Sequence, residues 1–404
     1  MTTAATSPSI ELAEFDQDDP AARGEAHGEL WRPQVRELCA LRTELAVAKG
    51  SFRDAAELTA VAALHLPVLE RFSRPLYSEL LGIARGAGVT PEQAVILNHY
   101  TDLRDVPPSV LNEPVPADMS PGPGAPGHVP TNMSAKPGDD PGGCTAIYVP
   151  GEGGGPVLGQ TWDMHGTARP FVRLMRVRPR GGDEEYVCFT LTGCLGMTGL
   201  SADGVGVTIN NLSSTDGQVG VVWPALVRAM LASGSAPAAR KLLEATRLSS
   251  GHHYMMADGR AFFGVETSGQ LKVVTQVSPG AAQLHTNHCF DPVLRRRERV
   301  PRVSTTFRRF EIATTLYVQQ RPHDPAGVWA FLSSHEGFPR SLCSHVDDAS
   351  GDPSASRTCG MMVMQLAGGA VLAGAGCGQE APPLRVTLGR WRGLPAPEIA
   401  VDGA

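Results

Sequence analysis

The spacing of apolar positions divides the chain into three textures. From about residue 21 to 99 they recur with a helical period. Val35, Leu38, Leu41 and Leu45 form one stripe that stops at Gly50. Ser51 with Asp54 three residues on predicts a helix start running through Leu64. Thr90-Pro91-Glu92-Gln93 predicts another, with a capping Thr, Pro at the first helical position and Gln at the third. Beyond residue 144 the period shortens to that of strands. Cys144–Val149 and Val157–Thr161 are apolar runs joined by a Gly-rich turn, and further strands are expected near 171–178, 185–191, 204–210, 253–257, 260–265, 270–276, 361–366 and 384–388. Helical patterns return at about 222–232, 236–247 and 305–319. Strands grouped apart from helices predict a layered α+β packing rather than alternating βαβ units.

Between the two halves lies a stretch with almost no apolar period. Residues 106–143 contain 10 Pro and 6 Gly among 38 positions. Such a segment buries too little to offset its ordering entropy, which predicts an exposed loop or domain linker. The expected organisation is a polar disordered tail over 1–20, a helical part over 21–105, the Pro/Gly-rich linker over 106–143, and a β-rich part over 144–404.

Composition narrows the function classes. The net charge is −6, and no basic patch of the kind that nucleic acid or an anionic membrane attracts is visible. The acidic, polar N-terminus does not read as a signal peptide, and no apolar run has the length of a membrane span. A cytoplasmic protein is therefore expected. The eight cysteines are scattered through apolar segments and none forms a C-x-x-C pair. They read as buried thiols, with no metal and no cofactor expected.

The linker ends on Pro141-Gly142-Gly143-Cys144-Thr145. Glycine permits a strained backbone before the cysteine, and a thiol placed there can attack the Gly143 carbonyl and convert the amide into a thioester. Hydrolysis would leave Cys144 with a free α-amine, whose ordinary pKa near 8 suits a general base for its own thiol. Read by itself, the tripeptide fits a linker followed by an ordinary strand cysteine better, and the nucleophile reading needs corroboration elsewhere in the chain.

Six stretches, in order, resemble the isopenicillin N acyltransferase family, a self-processing branch of the N-terminal-nucleophile hydrolases. They are Arg23-Gly24-Glu25-Ala26-His27-Gly28, GIARGAGVTPEQAVILN (82–98), GCTAIYV (143–149), GQTWD (159–163), TGCLGMTGLSADGVGVTINNL (192–212) and HTNHC (285–289). The resemblance implies a four-layer αββα sandwich and a proenzyme cut at Gly143-Cys144 into chains 1–143 and 144–404, held as a heterodimer with room for further oligomerisation. It also implies acyl transfer from a small N-acyl compound or acyl thioester through an S-acyl Cys144, to water or an amine. Asp163 would hold the freed amine. Asn287 would donate to the oxyanion, with Asn210 as a second donor. Arg23 and His27 are expected to fix the first helix, His285 and His288 to be structural, and Trp162 to pack in the core or on a pocket wall.

The family's late Ser-x-Cys-Arg reads here Ser341-Leu342-Cys343-Ser344, so its arginine is missing, with Arg340 or Arg357 as replacements. The following 344–357 is polar and loop-like. Two other readings remain open at this point. One is an uncleaved thiol hydrolase with His165 or His288 as base, and the other is an inactive binding protein of the same fold.

Overall fold

The computed structural model describes residues 9–115, 143–151, 154–300 and 304–396. The helices are α1 (Pro20–Leu30), α2 (Arg32–Lys49), α3 (Ala55–Phe72), α4 (Arg74–Ala87), α5 (Pro91–Leu103), α6 (Trp223–Leu231), α7 (Ala236–Ala245), α8 (Thr306–Gln320), α9 (Pro325–Leu332) and α10 (Val346–Ser350). The strands are β1 (Leu12–Phe15), β2 (Ala146–Val149), β3 (Val157–His165), β4 (Val172–Val177), β5 (Tyr186–Leu191), β6 (Thr198–Ser201) and β7 (Gly206–Leu212). They continue with β8 (Gly251–Ala257), β9 (Phe262–Thr267), β10 (Lys272–Gln276), β11 (Gln283–His285), β12 (Ser356–Gln365), β13 (Ala370–Ala375) and β14 (Leu384–Thr387).

The strands form two sheets. One runs β1-β4-β5-β6-β7-β8-β9-β10 and the other β11-β2-β3-β12-β13-β14. Their inner faces meet where β3 and β2 pack on β7, β12 on β6 and β13 on β4. Helices α6 and α7 cover the outer face of the first sheet, and α8 and α9 that of the second. The architecture is the four-layer αββα sandwich. With helices outside and a second sheet inside, β3 is buried along its whole length, so its polar Gln160, Thr161, Asp163 and His165 have to find partners in the interior.

Local signals account for much of this. Thr90 accepts from the Gln93 N–H while Gln93 Oε1 accepts from the Thr90 N–H, so the expected capping box is complete. The helix expected from Ser51 begins later: Asp54 is the cap, accepting from the Glu57 N–H, and α3 runs on to Phe72. A carboxylate at Asp54 serves the cap better than the earlier serine because the helix N-terminus favours negative charge.

Two further readings need correction. Within the segment read as a disordered tail, residues 1–8 lie outside the described residues, but Leu12–Phe15 pairs parallel to β4 as an edge strand. Its Ala13 and Phe15 are buried, so alternate side chains reach the core despite the polar leader. Of the linker, 116–142 lies outside the described residues, whereas Val106 and Val110 are buried.

The N-terminal motif has a structural role, as expected. Arg23 and Arg228 both pair with the fully buried Glu79, joining α1, α4 and α6. His27 Nε2 accepts from the Gly193 N–H at 2.8 Å. Gly24 and Gly28 of α1 lie directly on the α4 backbone, and a β-carbon at either would overlap it.

Candidate active site

Strand β2 begins two residues after Cys144, and its ladder with β3 extends backwards through Gly143. The Gly143 N–H donates to the Asp163 carbonyl at 2.8 Å, and the Asp163 N–H donates to the Gly143 carbonyl at 2.6 Å. Thr145 continues the clamp, its N–H reaching Thr161 Oγ1 at 3.0 Å. The Gly143-Cys144 peptide is thereby fixed on its N-terminal side by backbone alone.

Side chains hold it on the other side. The Cys144 N–H donates to Asn287 Oδ1 at 2.7 Å. The Cys144 carbonyl accepts from Asn210 Nδ2 at 3.0 Å and from Arg309 Nη1 at 2.7 Å. Arg309 also donates to Thr145 Oγ1, to Asn287 Oδ1 at 2.8 Å and to Thr305 Oγ1, and it lies 3.8 Å from Asp163 Oδ2. It is fully buried. A guanidinium suits this place because its planar fork serves several acceptors at once. Gly143 is required by the same arrangement: a β-carbon there would overlap the Arg309 guanidinium.

Asp163 sits within β3 rather than capping a turn at its end, and its Oδ1 accepts from Thr358 Oγ1 at 2.6 Å. Burial and the nearby Asp163 charge push the Cys144 thiol up to about 12, while Arg309 and Gln160 pull partly against them. In the uncut chain the thiol is therefore held protonated and needs a base to become nucleophilic.

Cys144 opens on a small cavity of about 40 Å³. Its walls are mostly apolar, including Trp162, Phe189, Met197, Trp223 and Met361, while Asp163, Asn211 and Asn287 supply polar groups near the cysteine. Trp162 is a wall residue, as one of its two expected roles.

The structure thus gathers Cys144, Asp163, Asn210 and Asn287 around one peptide. The geometry differs from the expected oxyanion arrangement at Asn287. Its Oδ1 faces two donors, the Cys144 N–H and Arg309, which turns Nδ2 away to donate to the Asn211 carbonyl at 2.9 Å. The donor aimed at the Gly143 carbonyl is instead the Asp163 N–H. His285 binds Glu266 Oε1, and His288 lies among the hydroxyls of Thr286 and Thr306. Neither His165 nor His288 lines the cavity at Cys144.

Arg309 is the residue that sequence reasoning overlooked. Arg340 is exposed, and Arg357 is engaged by Asp347 and Asp348; the cation at the site comes from α8. A signal was present: Arg309 occupies the same helical face as the buried Ile312, Ala313 and Leu316. An arginine on an apolar stripe has to find partners in the interior.

Residues 151–349, which are 199 of the 404, match the family described as acyl-coenzyme A:6-aminopenicillanic acid acyl-transferase. The match spans Asp163, Asn210, Asn287 and Arg309 and begins seven residues after Cys144. No curated protein matches the chain. Among solved structures, penicillin V acylase from Agrobacterium tumefaciens is similar at 13% identity over 57% of this chain and 82% of that one, with a TM-score of 0.39. That likeness is too slight for residue-by-residue comparison. No helix among the described residues is long and apolar enough to cross a membrane.

Proposed function

We propose, from the match of residues 151–349 to the acyl-coenzyme A:6-aminopenicillanic acid acyl-transferase family, that the chain is a self-processing amidohydrolase or acyltransferase with Cys144 as nucleophile. The observation that carries the reading is the double clamp on the Gly143-Cys144 peptide at the wall of an apolar cavity. A peptide bond held from both sides, with a glycine its neighbour demands, is poised for a defined reaction rather than for a linker's freedom.

In the self-cleavage step the Cys144 sulfur attacks the Gly143 carbonyl carbon. The thiol proton passes to the departing amide nitrogen, the C–N bond breaks and a thioester remains. Charge that develops on the Gly143 oxygen meets the Asp163 N–H already bound to it at 2.6 Å. One fixed donor of this kind contributes roughly 3 kcal/mol. Water then cleaves the thioester, giving a Gly143 carboxylate, a free Cys144 thiol and the Cys144 α-amine.

In the mature form that amine takes the thiol proton, and Asn287 Oδ1, already bonded to the same nitrogen, fixes its direction. Asn210 and Arg309 hold the Cys144 carbonyl, so the residue cannot swing out of register. Sulfur attacks the carbonyl of an N-acyl substrate and the proton goes to the leaving amine. Water or a second amine then accepts the acyl group. The Trp, Phe and Met walls favour an apolar acyl group, with hydrolysis of a small N-acyl compound as the default outcome. Asp163, linked to Thr358 and near Arg309, supplies negative charge that stabilises the ammonium form when it arises.

The test is intact mass measurement of the purified protein after incubation with N-acyl amides and acyl thioesters of graded acyl length. A mass increment equal to the acyl group on residues 144–404, strongest for apolar chains and absent from Cys144→Ala, is expected. Equal labelling of the Cys144→Ala protein would remove Cys144 from the role.

A further inference from the structure

Outside the catalytic cavity the fold brings together four side chains that no expectation connected. His335 and Cys343 lie between α9 and α10, His345 caps α10, and Cys377 follows β13. One ligand-capable atom of each lies within 4.8 Å of every other. His345 Nε2 is 3.2 Å from His335 Nε2 and 3.5 Å from Cys343 Sγ, while Cys377 Sγ is 3.3 Å from His335 Nε2.

These separations can be compared with a metal centre. In a tetrahedron the distance between ligands is about 1.6 times the metal–ligand bond. Zinc bonds of about 2.0 Å to nitrogen and about 2.3 Å to sulfur then place two nitrogens about 3.3 Å apart, and nitrogen and sulfur about 3.5 Å apart. The observed spacings of 3.2, 3.3 and 3.5 Å agree with three edges of that polyhedron, and the remaining pairs lie within 4.8 Å. Neutral side chains satisfy this only in part: each thiol can donate to an imidazole Nε2, but the 3.2 Å contact between the two Nε2 atoms then has no proton.

The surroundings fit as well. His345 Nδ1 lies 2.7 Å from Asp348 Oδ2, so its Nδ1–H donates to the carboxylate and Nε2 keeps its lone pair toward the cluster. That carboxylate–imidazole arrangement orients histidine ligands in metal sites. The Gln379 N–H donates to Cys377 Sγ at 3.4 Å, which stabilises a thiolate. Cys343, His345 and Cys377 are buried, and His335 is half-buried.

We propose that His335, Cys343, His345 and Cys377 form a structural zinc site. Four protein ligands close the coordination shell, which favours a structural over a catalytic metal, and the S₂N₂ donor set with this geometry selects zinc among divalent ions. Binding draws both sulfurs as thiolates and both imidazoles neutral, so the two thiol protons leave to solvent. The absence of C-x-x-C spacing, which argued against a metal in the sequence, reflects ligands drawn from a folded loop and a strand end rather than from two knuckles.

The site has a reason to be where it is. Its loop supplies the Ser344 N–H, which donates to Thr358 Oγ1 at 2.8 Å, and Thr358 in turn donates to Asp163 at 2.6 Å. Zinc would pin the stretch that lacks the family arginine and, through Thr358, hold the Asp163 carboxylate. The metal assignment itself does not depend on the proposed reaction.

The experiment is elemental analysis of the full-length protein after exhaustive dialysis. About one zinc per chain is expected, lost in Cys343→Ala and Cys377→Ala and kept in Cys39→Ala, a buried thiol on α2. Asp348→Asn should still bind, with affinity reduced roughly 10- to 100-fold in a chelator competition. In case the cysteine variants fail to fold, the wild-type protein is stripped and reloaded with cobalt. A tetrahedral thiolate–imidazole centre then shows sulfur-to-cobalt charge transfer and intense visible bands. Wild-type protein with neither zinc nor the cobalt spectrum overturns the proposal. So do zinc retained by the cysteine variants and a Cys343–Cys377 disulfide in the protein as purified.

Discussion

Replacing Arg309 by Met removes the buried cation at the candidate active site while roughly preserving the volume of its stem. The guanidinium and the Asp163 carboxylate are 0% and 1% exposed, so solvent and salt screen their interaction little. The substitution leaves that carboxylate buried with Thr358 but without its cation, and breaking such a pair costs about 3–5 kcal/mol. Hydrogen bonds to the Cys144 carbonyl, Thr145, Asn287 and Thr305 are lost with it. These losses are coupled and do not add to the pair term in full. A fall of about 3–5 kcal/mol in unfolding free energy is expected, with the denaturant slope unchanged. Arg309→Lys should fall between native and Met, since a single ammonium cannot reach all the acceptors. Urea titration followed by tryptophan fluorescence measures stability, and gel densitometry over time measures cleavage. An Arg309→Met protein within about 1 kcal/mol of native that also cleaves at the native rate would refute the reasoning that Arg309 organises the site.

Gly143→Ala should slow or abolish cleavage, because its β-carbon meets the Arg309 guanidinium. Overpacking of this kind costs about 1–3 kcal/mol, and unchanged cleavage kinetics would contradict the close approach. Thr358→Val removes the hydroxyl that donates to Asp163; a loss of roughly 1.5–3 kcal/mol in unfolding free energy is expected for a hydrogen bond to a charged group, and a neutral result would count against that link. Acid should destabilise the fold through buried histidines. Burial draws His27 and His65 down to about 4, from an ordinary value near 6.5. Because the folded value is the lower one, their contribution is complete above about pH 6.5 and is lost as pH falls toward 4, by up to about 1.4 kcal/mol per pH unit for each. A flat unfolding free energy from pH 7 to 4.5 would contradict it.

The sequence made the strand-local part of this site legible and left the converging part hidden. Cys144 lies two residues before β2 and Asp163 on its neighbour β3, close together in sequence, and the Thr90 capping box depends on four consecutive residues. Asn287 was found by likeness, yet its orientation was not, because the direction of an amide is set by its partners: Arg309, 22 residues on, and Cys144, 143 residues before it. Arg309 itself is 165 residues from the carbonyl it binds, and only its place on the apolar face of α8 hinted at burial. β1 is short and lies in an acidic segment, so period alone could not raise it above a tail. The four-residue cluster of His335, Cys343, His345 and Cys377 has no local spacing signature, since one of its ligands arrives from the end of β13.

The central claim is that the chain cuts itself between Gly143 and Cys144. Intact mass spectrometry of freshly purified native and Cys144→Ala proteins tests it most directly. Two fragments are expected in the native protein, one beginning at Cys144 with a free amine, and a single uncut chain in Cys144→Ala. An uncut native chain that nevertheless hydrolyses an N-acyl substrate through Cys144 would contradict it.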